Sequence, residues 1–151
     1  QLDKVEPRNI FTLTKKEVAD KHEVRLFTLL YIEDNPANLQ LVDDILSDYP
    51  EIKLVSATHA KMGIDMALAL KPDLILMDIN LPDIDGVEAF KRLKNFEETH
   101  EVPVIAMSAN AMQKDIDRAM AEGFKTYITK PVDIIRFRNI IEEELKSATT
   151  S

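Results

Sequence analysis

Four consecutive apolar residues, Leu74 to Met77, run into Asp78 between the turn-forming pairs Pro72-Asp73 and Leu81-Pro82. An unbroken apolar run bounded by turn residues predicts a strand covered on both faces, the environment of a parallel sheet. Four further stretches read as strands: Phe27–Ile32, Ile52–Ala57, Val102–Met107 and Phe124–Thr129. Helical signals separate them. Asn35-Pro36 supplies a cap and a first-turn proline, and Leu39, Val42, Ile45 and Leu46 follow at helical spacing up to Tyr49-Pro50. Ile64, Ala67 and Leu68 mark a second helix, stopped at Lys71-Pro72. Val87, Phe90 and Leu93 mark a third beyond Asp85-Gly86, and a fourth spans about Ala111 to Ala121, closing on Gly123. Ile134, Phe137, Ile140, Ile141 and Leu145 mark the last. Strand and helix alternating five times predict an α/β fold: one doubly wound parallel sheet with right-handed crossovers and five helices on its two faces.

That body occupies residues 26–146, with 147–151 as a C-terminal tail. Residues 1–25 contain Pro7, mixed charges and only isolated apolar positions, and are expected to be a linker or the tail of a preceding domain. Within them Ile10–Leu13 suits a short strand and Lys15–Val24 a helical turn or two. Net charge is −8, yet residues 1–26 hold six Lys/Arg against five Asp/Glu, so the acidity lies in the body. An acidic body argues against direct nucleic-acid binding, which needs a basic footprint. The absence of cysteine excludes thiol and disulfide chemistry. No apolar run approaches the roughly 20 residues of a membrane helix, so no membrane contact is expected of this segment and a cytoplasmic setting fits.

Four of the five strands end in polar groups: Glu33 and Asp34, Asp78, Ser108, and Lys130. In a doubly wound sheet the carboxyl ends share one edge, where such folds bind ligands. Three carboxylates brought together repel and raise at least one pKa unless a cation compensates. An all-oxygen donor set suits Mg²⁺. Lys130 adds a point charge and Ser108 a hydroxyl donor, so the pocket is built for an anion with several oxygens, phosphoryl above all. Phosphoryl transfer needs positioning and charge neutralisation, and a carboxylate nucleophile such as Asp78 forms an aspartyl-phosphate.

Five motifs in order then carry a resemblance: Tyr31-Ile32-Glu33-Asp34-Asn35, Leu76-Met77-Asp78-Ile79-Asn80-Leu81-Pro82, Asp85-Gly86, Ala106-Met107-Ser108-Ala109 and Tyr127-Ile128-Thr129-Lys130-Pro131. From about Leu26 to Lys146 the chain resembles the receiver domains of two-component response regulators, the CheY-like superfamily. The resemblance implies the flavodoxin-like strand order 2-1-3-4-5. It implies that Asp78 is the phosphoacceptor, with Glu33, Asp34, Asp78 and the Asn80 backbone carbonyl around Mg²⁺. Ser108 and Lys130 would contact the phosphoryl group, and Ser108 and Tyr127 would form the switch, Tyr127 turning inward as Ser108 is drawn in. The Lys130-Pro131 bond is expected to be cis. The implied partner is a histidine kinase or histidine phosphotransfer domain. The wording of the first and fourth motifs is similar to receivers fused to sensor histidine kinases, which suggests a hybrid-kinase parent; Ile10–Leu13 would then be the last strand of its ATP-binding domain.

The chain departs from the family pattern at two places. Glu33 replaces the commoner Asp, so it is expected to reach the metal through water. Asp83 stands where many relatives have Gly, adding negative charge near the pocket. Asn80 and Asn110 flank the site and are expected to influence the lifetime of the phosphoryl group. Two competing functions stand beside this one: a pseudo-receiver that only binds partners, and an aspartate-nucleophile phosphatase of another α/β family. The latter usually needs a second acid where Asn80 stands. His22, His59 and His100 lack ligand spacing and read as surface residues, and Glu142-Glu143-Glu144 reads as a solvated helix face.

Overall fold

Strands with no polar face to offer water take the centre of the sheet, and those with exposed positions take its edges. In the computed structural model, which describes residues 25–150, the strands are β1 (Phe27–Ile32), β2 (Ile52–Ala57), β3 (Leu74–Asp78), β4 (Val104–Ser108) and β5 (Thr126–Thr129). Every residue of β3 and β4 is buried, whereas β2 is mostly part-exposed and β5 is part-exposed at both ends. The order is β2-β1-β3-β4-β5, parallel throughout, as the resemblance implied. The expectations for residues 1–24, including the short strand, the helical turns and His22, lie outside the described residues.

Alternate side chains feed two cores. Leu30, Ile32, Ile75, Met77 and Ala106 face α2 (Ala60–Leu70), α3 (Gly86–Lys94) and α4 (Gln113–Glu122). Leu29, Tyr31, Leu76, Ile105 and Met107 face α1 (Pro36–Leu46) and α5 (Ile134–Thr150) through Val42, Ile45, Phe137 and Ile141. A strand buried on both faces cannot alternate in polarity, which is why the sequence runs are continuous. Among the described residues no helix is long and apolar enough to cross a membrane.

Local chemistry sets the boundaries. Asn35 Oδ1 accepts from the amides of Ala37 and Asn38, the predicted cap of α1. Lys71 leaves α2 at φ 49°, because the residue before Pro72 is disfavoured in the right-handed helical region. The fourth helix starts at Gln113, later than the expected Ala111, because Asn110 Oδ1 accepts from Met112 N and holds that segment in a turn. The last strand starts at Thr126, not Phe124: the Phe124 amide closes onto Ala119 O behind Gly123 (φ 120°), and its ring stacks on Phe90. Ile134, one of the apolar residues that mark the last helix, is exposed at the start of α5.

Two acidic assignments change. Glu144 is buried and pairs with Lys125 at 2.8 Å, so it leaves the solvated face expected of all three, while Glu142 and Glu143 are exposed and Glu142 also accepts from Tyr49 OH at 2.6 Å. The Asp83 carboxylate takes the Ala60 and Lys61 amides at 2.8 and 3.0 Å and thereby caps α2. His59 Nδ1 accepts from Met62 N at the same helix end, so this histidine is a half-buried cap and not a plain surface residue. His100 is exposed, as expected.

Burial pushes the Asp83 carboxyl up, but the Lys61 and Ala60 amides outweigh it and hold its pKa down at about 2. A depressed carboxylate stabilises the fold above its unfolded value, about 3.9, and loses that contribution as pH falls through the folded value. Asp83→Ala should therefore cost about 1 kcal/mol near neutral pH. In urea titrations the difference from wild type should shrink between about pH 4 and pH 2; a gap that stays constant across that range would contradict the cap.

Candidate functional site

Because all five strands run the same way, the register fixes which groups meet at the carboxyl edge. Ile32 lies beside Met77 and Asp78 beside Met107, while Ser108 lies beside Thr129. Glu33, Asp78, Ser108 and Lys130 therefore leave the sheet within one residue of a common line. Three ladder bonds carry on past the strands to fix these backbones: Glu33 N to Ala57 O, Ile79 N to Met107 O and Lys130 N to Ser108 O. The Lys130-Pro131 bond is cis, as expected.

The Lys130 ammonium sits between two carboxylates, 2.7 Å from Glu33 Oε1 and 3.2 Å from Asp78 Oδ2. Glu33 is fully buried, and Asp78 is 5% exposed. Asp78 Oδ1 accepts from Asn80 N at 2.9 Å, which folds the following loop back over the strand end. Ser108 Oγ accepts from Asn110 N at 3.0 Å, with Asn80 Nδ2 at 3.4 Å. Gly86 closes the neck of the Ile79–Asp85 loop by donating its amide to Ile79 O. A Cβ at Gly86 would lie 2.6 Å from Ile79 Cα, so any side chain there would force the loop open.

The two buried carboxyls are driven in opposite directions. Burial pushes Asp78 up and the Glu33 charge adds to this, against the opposing Asn80 amide and Lys130. Burial also acts to raise Glu33, but hydrogen bonds from Lys130 and Tyr31 outweigh it and leave its pKa below the ordinary value. For Lys130, burial acts to lower the pKa, and the Glu33 hydrogen bond with the two carboxylate charges raises it above its ordinary value. The site thus holds one firmly ionised acid, one destabilised acid and a cation between them.

Tyr31 is the participant that the sequence reading passed over. Its buried hydroxyl donates to Glu33 Oε1 at 2.9 Å, on the same oxygen as Lys130, while Asn35 N donates to Oε2. The signal was available, since residues two apart along a strand share a face. With three donors on about four lone-pair positions, Glu33 is mainly the seat of Lys130.

Tyr127 is already turned inward, 8% exposed, and its hydroxyl donates to Asn110 O at 2.8 Å. It borders an open cavity of about 220 Å³ shared with Asn80, Ser108 and Asn110. Asn110 spends its side chain on Met112 N in its own loop and on Asp115 in the first turn of α4. Asp83, as described above, is turned onto α2 and its charge is spent there.

The donors fit a divalent cation. One ligand oxygen each from Glu33, Asp34 and Asp78 lie within 4.8 Å of one another, and Asp34 is exposed and open to a hydrated ion. All three are hard oxygen donors of the kind Mg²⁺ takes.

A parallel α/β sheet that gathers acids, a hydroxyl and an amine at its carboxyl edge is the architecture of a phosphosignalling receiver. The chain belongs to the response regulator receiver domain family, whose model matches residues 29–142. It is 40% identical over 123 residues to the polar-differentiation response regulator DivK of Brucella ovis, covering 80% of this chain and 98% of that relative. Among solved structures it is similar to the receiver domain of a Pseudomonas aeruginosa sensor histidine kinase, which has a magnesium ion coordinated in its active-site cleft. That match has 27% identity and a TM-score of 0.72, covering 80% of this chain and 98% of the other. It is also similar to the phosphorylated cyanobacterial phytochrome response regulator RcpA, with 26% identity, a TM-score of 0.66, and 78% and 90% covered.

Breaking a buried ion pair from one side leaves an uncompensated charge, so Lys130→Ala should lower stability by about 3 kcal/mol in metal-free buffer. Asp78→Asn removes the destabilised acid and leaves Lys130 on Glu33, so metal-free thermal stability should rise. Differential scanning calorimetry of both variants with and without Mg²⁺ checks this; a lower melting temperature for Asp78→Asn would contradict the repulsion.

Proposed function

We propose that Asp78 accepts a phosphoryl group from a phosphohistidine, carried by a histidine kinase or a phosphotransfer domain, and that Mg²⁺ assists. The observation that carries this reading is the Lys130 ammonium held between Glu33 and Asp78 at the carboxyl edge of the sheet. A carboxylate oxygen of Asp78 attacks phosphorus while the phosphorus–nitrogen bond breaks, and the departing imidazole keeps the bond electrons and takes up a proton. Nothing here depends on Asp78 losing a proton in the step, because it reacts as the carboxylate.

The chain's own groups each have a task. Burial and the nearby Glu33 charge keep the Asp78 carboxylate poorly stabilised, which favours its reaction. Lys130 can follow the charge from Asp78 Oδ2 to a phosphoryl oxygen without leaving Glu33 Oε1. Ser108 Oγ, on the far side, is the hydroxyl available to donate to another phosphoryl oxygen. Glu33, Asp34, Asp78 and the Asn80 carbonyl would hold the metal ion, Glu33 through water. When bound, the ion offsets phosphoryl charge that one ammonium cannot neutralise alone.

The readout runs through Ser108. Drawing its hydroxyl toward a phosphoryl group pulls on Asn110, whose amide it accepts from and whose carbonyl holds Tyr127. Loop and ring are one mechanical unit, so the α4–β5 surface shifts as a population between two arrangements. The likeness to a sensor-kinase receiver supports a hybrid-kinase setting, and the likeness to DivK supports a separate regulator. A phosphohistidine donor is common to both.

Incubation with Mg²⁺ and acetyl phosphate should give one phosphoryl adduct by intact mass, stable in acid and labile in base. Asp78→Asn should give none, and chelation of Mg²⁺ should suppress it in wild type. An undiminished adduct on Asp78→Asn, or none on wild type, would refute the assignment.

A further inference from the structure

The loop that follows Asp78 is tied down in three places. At its base, Asn80 N is bonded to Asp78 Oδ1 and Gly86 N to Ile79 O. In its middle, Leu81 is buried in the core beneath α2 and α3. At its tip the two Asp83 oxygens grip the first amides of α2, Ala60 N and Lys61 N. The third tie differs from the others because it is a polar clasp on the end of a separate helix. A carboxylate fits there because the first amides of a helix lack partners and carry its positive dipole end.

We infer that Asp83 is a positioning residue for metal binding: its clamp on α2 sets the loop that presents the Asn80 carbonyl. This rests on the phosphoacceptor reading above. Asp83 lies three residues beyond Asn80, with only the anchored Leu81 and Pro82 between. Releasing the tip leaves the loop pivoting on Leu81 and its closed neck, and a backbone carbonyl has no side-chain torsion with which to recover its aim. Mg²⁺ demands near-ideal octahedral geometry, so a small loss of aim costs affinity. The same contact makes α2 a lever on the metal site, since any partner that displaces the N-terminus of α2 also moves the loop.

A contact that merely stabilised α2 would behave differently, and Ala69, exposed in the last turn of that helix, supplies the comparison. His59 cannot serve, because its Nδ1 accepts from Met62 N but also lies 3.5 Å from Asp83 Oδ2; Ala69→Gly weakens the helix at the end away from the loop. The experiment measures Mg²⁺ affinity by calorimetry, alongside thermal stability, for wild type, Asp83→Ala, Asp83→Asn and Ala69→Gly. Asp83→Ala should weaken Mg²⁺ binding about tenfold, the usual cost of losing a group that orients a ligand. Asp83→Asn keeps one acceptor oxygen and should fall between it and wild type. Ala69→Gly should lose stability while keeping wild-type Mg²⁺ affinity.

Equal Mg²⁺ affinity for Asp83→Ala and wild type would overturn the inference and leave Asp83 as a helix cap. A comparable loss of affinity in Ala69→Gly would also overturn it, by tracing the effect to α2 stability alone. Failure of the wild-type chain to bind Mg²⁺ would remove the metal reading and this inference together, which sets that outcome apart from the other two.

Discussion

The site depends on one ammonium group. Lys130 stands at the end of the edge strand β5, and it contacts acids at the ends of β1 and β3, two strands that neighbour each other but not β5. Without that cation two buried carboxylates would face each other at close range, at a cost several times larger than in water. The arrangement is asymmetric. Glu33 receives three donors and is content as an anion, and Asp78 is left short. A carboxylate that the fold under-stabilises, beside a cation shared with a second acid, suits group transfer better than a static ion pair would.

The fold makes this asymmetry possible by spending its most rigid parts on it. β3 and β4 are buried along their whole length, so Asp78 and Ser108 start from backbones with little freedom. The more adaptable groups come from loops: Asn80 and Asn110 each follow a central strand by two residues and each returns an amide to the polar residue at the strand's end. Rigid strand ends with short recoiling loops give precise placement on one side and room to move on the other. The Tyr127 hydroxyl on Asn110 O ties the loop after β4 to β5.

Much of this was legible in the sequence, and for identifiable reasons. Continuous apolar runs announced central parallel strands, and the polar residue closing each run announced what the edge would hold. Asn35-Pro36 and Gly123 marked helix ends because each has a local conformation that few other residues supply. What stayed hidden was contact between residues distant in sequence. Nothing local to Asp83 says that its carboxylate closes on α2, and a count of acids assigns its charge to the pocket. Glu144 looks solvated in a run of three glutamates until Lys125 arrives beside it. Tyr31 reads as one more apolar strand position, although its place two residues before Glu33 already put both on one face.

The central claim is that Asp78, Ser108 and Lys130 converge on a single phosphoryl group. Beryllofluoride is a tetrahedral stand-in for that group, and a crystal structure with beryllofluoride and Mg²⁺ tests the convergence most directly. The account predicts beryllium on an Asp78 oxygen, with Lys130 Nζ and Ser108 Oγ each within hydrogen-bond reach of a fluoride and Lys130 withdrawn from Asp78 Oδ2. Beryllofluoride seated elsewhere, or Lys130 unmoved with Ser108 turned away, would contradict it.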